Sequence, residues 1–135
     1  MDLGTAMRIA SSGMKAQSAR LRVTAENLAN VESTVQAPGG DSYRRKTITF
    51  GGRRDRELGA ELVEVKRYGV DRTDFELRYE PGHPAADAAG YVKCPNVNTF
   101  VELMDMREAQ RSYEANLNAL GLARSLQQKT IDLLR

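Results

Sequence analysis

The chain predicts an α+β fold in which long N- and C-terminal helices form a coiled-coil-like pair around a small, strand-rich and loop-rich central region. Apolar residues recur at seven-residue spacing near both ends. All four prolines fall between Val35 and Val97, and in that stretch the helical period gives way to period-two alternation. The expected division is an N-terminal helix over 1–34, a central strand and loop region over 35–97, and a C-terminal helix over 98–135.

The composition narrows the function classes. The 135 residues, 41% of them hydrophobic, make room for one domain with a modest core. Aromatic residues are 6% of the chain and Trp is absent, so few large side chains are on hand to dominate the core. Lys and Arg number 20 against 18 Asp and Glu, a near-cancellation that leaves no bulk charge to steer the chain toward nucleic acid or an anionic membrane. Cys94, the single cysteine, has no partner in the chain, which excludes an internal disulfide and a cysteine-based zinc site. Residues 1–13 lack the apolar run of a cleaved secretory signal. Nowhere do about 18 apolar residues follow one another to span a bilayer.

In the N-terminal helix the larger apolar residues are Leu3, Met7, Met14, Leu21 and Leu28, with Ala6, Ala25 and Val31 at intermediate steps. The companion row, Ala10, Gln17 and Thr24, is small or polar and buries too little area to hold an isolated helix pair together. Met7, Met14, Leu21 and Leu28 are therefore expected to pack against neighbouring subunits. Asn27 and Asn30 lower helix propensity, and each carries an amide able to set register across a packed interface. For Asn30 the other reading is that it ends the helix.

The middle region reads as three short half-buried strands. Ile48 and Phe50 mark the first, Val63 and Val65 alternate with Glu64 and Lys66, and Phe75, Leu77 and Tyr79 alternate with Asp74, Glu76 and Arg78. Gly39-Gly40, Gly51-Gly52, Tyr68-Gly69 and Pro81-Gly82 mark the turns. The C-terminal helix is expected to begin near Asn98 or Thr99, with Thr99 and Glu102 in a capping-box relation. Met106, Tyr113 and Leu120 lie seven apart along it, joined by Asn116 and Leu117 as further packing positions.

Candidate chemistry is thin. His83, the one histidine, sits in Pro81-Gly82-His83-Pro84 with Asp87 close behind. The proline after it holds it extended, and the stretch from Pro81 through Gly90 to Tyr91 reads as a stiff structural turn. Catalysis by His83, Asp87 and Cys94 lacks any motif that brings them together. The glycine pairs match no phosphate-binding template. Arg44, Arg45 and Lys46, followed by Arg53, Arg54 and Arg56, form the most basic stretch and carry the alternative reading, a small nucleic-acid-binding module. Against it, residues 32–98 hold eleven basic and eleven acidic side chains, so a solvated strand face is the preferred reading.

Ser12-Gly13-Met14-Lys15-Ala16-Gln17, Arg20-Leu21-Arg22-Val23 and Ala25-Glu26-Asn27-Leu28-Ala29-Asn30 resemble the N-terminal signature of bacterial flagellar axial proteins. The stretch from Tyr79 to Val92, leading into Pro95-Asn96-Val97-Asn98, resembles the proximal rod proteins among them. So do Glu102, Met104, Asp105, Met106, Ala109, Arg111 and Tyr113 to Asn116. Ser33-Thr34-Val35 and Ala85-Ala86 depart from the pattern, and residues 51–68 share only its general character. The resemblance implies a structural subunit of the flagellar basal-body rod, without catalytic activity, cofactor or metal. It also implies export by the flagellar type III apparatus without a cleaved signal peptide, and assembly with further copies of itself and with FliE, FlgB, FlgF and FlgG in a rod that crosses the periplasm.

Overall fold

The computed structural model describes residues 2–134. Its elements are α1 (Leu3–Ala29), β1 (Lys46–Asp55), β2 (Ala60–Val70), β3 (Glu76–Tyr79), β4 (Tyr91–Cys94) and α2 (Thr99–Leu133). Two long helices thus flank a small strand region, an α+β arrangement.

Both helices are capped by short polar side chains. Asp2 Oδ1 accepts the Thr5 N–H at 2.6 Å, one of the amides that a helix start leaves without an internal partner. That bond holds the Asp2 carboxyl below the usual carboxylate range. At the other end of α1, Asn30 donates its side-chain amide to the Glu26 carbonyl at 2.8 Å. Asn30 thus lies at the helix end, and the helix stops at Ala29, short of residue 34. In α2 the cap is Asn98, whose Oδ1 accepts the N–H groups of Phe100 and Val101 at 3.0 and 3.2 Å. The expected Thr99–Glu102 capping box is not formed. With Asn98 as the cap, Glu102 falls one position too far along, and its carboxylate is buried and bonded elsewhere.

The strands form two sheets of two, β1 with β2 and β3 with β4. β1 and β2 are joined by the Arg56–Gly59 turn, in which Asp55 Oδ1 accepts the N–H groups of Glu57 and Leu58. β3 and β4 run antiparallel with Leu77 opposite Lys93 and Tyr79 opposite Tyr91. Here the structure corrects the expected strands. β4 is a fourth strand, and the strand marked by Phe75, Leu77 and Tyr79 is exposed throughout β3. Directly paired residues share one face, so Glu76 and Arg78 lie on the side of the buried Val92 and Cys94, while Leu77 and Tyr79 face solvent. In β2, likewise, Leu62 is buried and Val63 is exposed. A two-stranded sheet has only one covered face, and here the outer one carries the apolar residues.

The chain folds into two compact units, one of residues 1–21, 48–67 and 106–135, the other of residues 22–47 and 68–105. In the first, α1 and α2 run antiparallel. Gly13 packs on Asn116, where an added Cβ would lie 2.8 Å from the Asn116 side-chain oxygen, and Arg20 lies 3.9 Å from Glu108. Ala10, Ala16, Ala19, Ala109 and Ala123 are buried, whereas Met7, Met14, Leu21, Met106, Tyr113 and Leu120 are only half-buried. Small side chains let helices approach closely, and where α1 meets Asn116 of α2 the residue is Gly13 and not one of the larger heptad residues. Ser12 Oγ accepts the Val63 N–H at 3.2 Å and ties β2 to α1. In the second unit Val23, Ala85, Val92, Cys94 and Val97 are buried together with Thr24, Asn27, Ser42 and Glu102.

Gly90 supplies a test of this frame. Its φ is +87°, and a Cβ there would stand 2.8 Å from the Tyr79 ring, whereas Gly59, at φ +62°, faces open space. Gly59→Ala is expected to cost about 1–2 kcal/mol from left-handed strain alone. Gly90→Ala should cost more, because the ring must also move. Urea unfolding of both variants checks the order, and equal losses would show that the ring contact adds nothing.

Candidate functional site

At the heart of the second unit stands Asn27, fully buried on α1. Its Oδ1 accepts the Tyr43 hydroxyl and the Lys46 N–H, each at 2.8 Å. Its Nδ2 donates to the Lys46 carbonyl at 2.9 Å and to Glu102 Oε2 at 3.1 Å. The amide therefore uses both donors and both acceptor positions. Toward Lys46 it behaves as a neighbouring strand would, pairing the N–H and the C=O of one residue at the start of β1.

Glu102, on the first turns of α2, is equally buried. Its second oxygen accepts from Arg45 Nε, and Arg45 Nη2 lies 3.5 Å from Asp105. A buried carboxylate is tolerable when it is paired and its remaining lone pairs are bonded, and here Arg45 and Asn27 meet that requirement together. Asn96 extends the network. It accepts the Arg45 N–H at 2.7 Å and donates to the carbonyls of Asp71 and Thr73 at 3.0 and 3.2 Å. Asp71 in turn donates its N–H to the Arg45 carbonyl at 2.8 Å, and the Thr73 N–H on its side chain holds the Asp71 carboxyl low. Burial pushes the Tyr43 phenol up, so it stays a hydrogen-bond donor.

The basic stretch is thereby corrected. Arg45 belongs to this network, Lys46 Nζ bonds Glu26 at 2.6 Å, which raises its pKa, and Arg44 lies 4.3 Å above the Phe75 ring and 3.8 Å from Asp41. Arg53 pairs with Glu64 at 3.3 Å on the hairpin. Lys46, Arg53, Arg54 and Arg56 are exposed, as a solvated strand face requires, while Arg45 is drawn into the network instead. Sequence reasoning missed Tyr43, Arg45, Asn96 and Glu102, and the one signal that pointed here was the low helix propensity of Asn27.

His83, Asp87 and Cys94 are each engaged separately. His83 Nδ1 accepts the Ala85 N–H at 3.0 Å, and Nε2 lies 3.2 Å from Thr34 Oγ1. Asp87 Oδ1 accepts the N–H groups of Ala89 and Tyr91, both at 2.9 Å. Cys94 is buried, and that burial raises its thiol pKa. Pro81, Gly82 and Pro84 lie exposed along the turn, and Tyr79 and Tyr91 meet edge to face at a centroid distance of 5.3 Å. Of the remaining packing positions, Leu28 and Asn30 are half-buried, Asn116 bonds the Ser112 carbonyl of its own helix, and Leu117 is exposed.

Two family models match the chain. One, described as flagella basal body rod protein, covers residues 7–36. The other, described as flagellar basal body rod FlgEFG protein C-terminal, covers residues 88–133. Over 133 residues the chain is 55% identical to the flagellar basal-body rod protein FlgC of Agrobacterium fabrum, covering 98% of this chain and 96% of that one. It is 43% identical to FlgC of Salmonella typhimurium over 127 residues, 93% of this chain and 92% of the other. With FlgC of Aquifex aeolicus the identity is 37% over 132 residues, 98% and 97% of the two chains.

Removing Asn27 leaves several buried groups without partners at once. Asn27→Ala is expected to lower stability by about 3 kcal/mol or more, against about 1 kcal/mol for Tyr43→Phe, which removes one hydroxyl bond. The phenol has a pH signature as well. Its folded pKa lies above the ordinary value of 10.0, so its contribution is whole below pH 10 and is lost as the pH climbs through the raised value. Denaturation curves between pH 8 and pH 11 (roughly the span in which a phenol ionises) should show stability falling above pH 10, and the fall should be smaller in Tyr43→Phe.

Proposed function

The chain belongs to the FlgC family of flagellar basal-body rod proteins, and we propose that it polymerises by helix packing into the proximal part of that rod. It is a structural subunit of the basal body. The observation that carries the helix-packing reading is the outer surface of α2. There Leu117, Leu122, Leu126, Ile131 and Leu133 are exposed, Leu133 to 87%. Single exposed apolar residues are ordinary, but a series of them along one long helix marks an interaction surface. Among the described residues, part of that helix has no stretch of α1 level with it. With Gly13 level with Asn116 in the antiparallel pair, Leu3 stands level with residue 126 (116 plus ten), so 127–133 continue past the start of α1. That overhang is about 10 Å long at 1.5 Å per residue.

On this reading, small residues at the α1–α2 contact and larger ones outside it have separate tasks. Gly13 lets the two helices of one subunit come close at Asn116, while Met7, Met14, Leu21 and Leu28, with the exposed leucines of α2, meet neighbouring subunits. Those neighbours are further copies and the rod proteins FliE, FlgB, FlgF and FlgG. Delivery is by the flagellar type III export apparatus without a cleaved signal, the rod crosses the periplasm, and the chain carries out no catalysis.

Leu122→Asp combined with Leu126→Asp tests the outer surface. Both side chains are exposed in the subunit, so the purified variant should keep its helix content and its melting temperature, with surface changes of this kind usually within about 0.5 kcal/mol. Incorporation into rods and swimming in soft agar should be lost. Normal motility of the double variant would overturn the proposed surface.

A further inference from the structure

We propose that His83 is a proton-sensitive latch between the segment after α1 and the turn from Pro81 to Tyr91. The observation is the pair of bonds on its ring. An amide N–H can only donate, so the 3.0 Å contact from Ala85 N makes Nδ1 an acceptor that carries no proton. The ring proton is then on Nε2, where it is donated to Thr34 Oγ1 at 3.2 Å. This bonding assigns the neutral Nε2–H tautomer. One ring nitrogen closes the turn while the other ties it to a residue 49 positions earlier.

Proton uptake reverses one of the two contacts. With Nδ1 protonated, a donor faces the Ala85 N–H, and in a residue as buried as Ala85 losing that partner is costly. The closed turn and the protonated ring therefore exclude one another, and acid opens the turn. No other side chain in the arrangement takes over the acceptor role. Glu32, just before Thr34, bonds Arg78 at 3.1 Å, and Glu80, just before the turn, bonds the same guanidinium at 2.9 Å. Asp87 is held by the amides of Ala89 and Tyr91, and Asp41 pairs with Arg44 and Lys93, each at 3.8 Å. The protonated ring keeps its Nε2–H donor to Thr34, so the opening turn pulls on the stretch that leads to Ser42, whose hydroxyl bonds the Lys93 carbonyl, and to Tyr43.

The test is amide exchange and imidazole ¹⁵N spectroscopy on the full-length subunit as the pH is lowered from about 8 to about 5, the span in which histidine changes charge. At the upper end the ring should show the Nε2–H pattern. As the ring takes up its proton, exchange at Ala85, corrected for the intrinsic pH dependence of amide exchange, should accelerate about tenfold or more. His83→Gln, which offers a donor and an acceptor but does not titrate, should show a flat response. In Thr34→Val the Ala85 response should persist while the residues around position 34 exchange fast at every pH. Unchanged Ala85 exchange while the parent ring titrates would overturn the latch. So would an identical acid response in His83→Gln. Should His83→Gln fail to fold, the parent chain and Thr34→Val decide: acid-induced release around position 34 that is the same in both would show that the Nε2 bond bridges nothing.

Discussion

One side chain amide, that of Asn27, holds the strand start at Lys46, the hydroxyl of Tyr43 and the carboxylate of Glu102 in a single arrangement. Because the amide has two donors and two acceptor positions and each is used, only glutamine offers the same set, and its extra methylene would carry the amide away from Lys46. Leucine would leave the Lys46 backbone without partners, and aspartate would set a second carboxylate against Glu102. The register of α1 on β1 and on α2 in this unit is thus specified by hydrogen bonding. Apolar burial specifies it far less, since the apolar residues buried around the network are small or medium in size: Val23, Ala85, Val92 and Val97.

A small chain without Trp can build a joint of this kind only by satisfying polar groups completely. A half-satisfied network in a thin core is worse than none, because each buried orphan costs about 1–3 kcal/mol. Arg45 shows how far the satisfaction reaches. Its side chain neutralises Glu102, its N–H is taken by Asn96 and its carbonyl by Asp71, so backbone and side chain of one residue serve the same joint. A basic residue with this much internal work is a poor candidate for contacting phosphate, which takes Arg45 out of the nucleic-acid reading of the basic stretch.

The two helices and the start of α2 were legible in the chain because propensity, period and capping chemistry agree there: the heptad spacing, Asn98 before α2 and the prolines confined to the middle, whereas the end of α1, expected at residue 34, falls at Ala29. The inward faces were harder to read. Heptad arguments rank residues by size and so favour Met7, Met14 and Leu21, yet the residues most buried on the two helices are alanines, and Gly13 makes the close approach to Asn116 because a small residue costs no separation. In β3 the alternation of Leu77 and Tyr79 with charged residues is real, but alternation identifies two faces without saying which one is covered. Only the pairing with β4, whose Val92 and Cys94 are buried, decides it. The pairing of Arg45 with Glu102 was illegible for a different reason, since their 57-residue separation leaves no local pattern, and locally Glu102 read as a capping-box partner and Arg45 as part of a basic strand face.

Apolar residues left outside and polar residues taken inside are two sides of one constraint on a subunit that must be part of something larger. If the large apolar side chains filled the interior, the folded chain would be more stable alone and would have less left to offer a neighbour. With small residues buried along the helices and a bonded polar joint at Asn27, the interior is set by geometry and complementarity, which give a definite shape with modest stability. The leucines of α2 then remain on the surface, from Leu117 to Leu133, where burial against neighbouring subunits contributes to the assembly at about 25 cal/mol for each Å² of apolar surface removed from water.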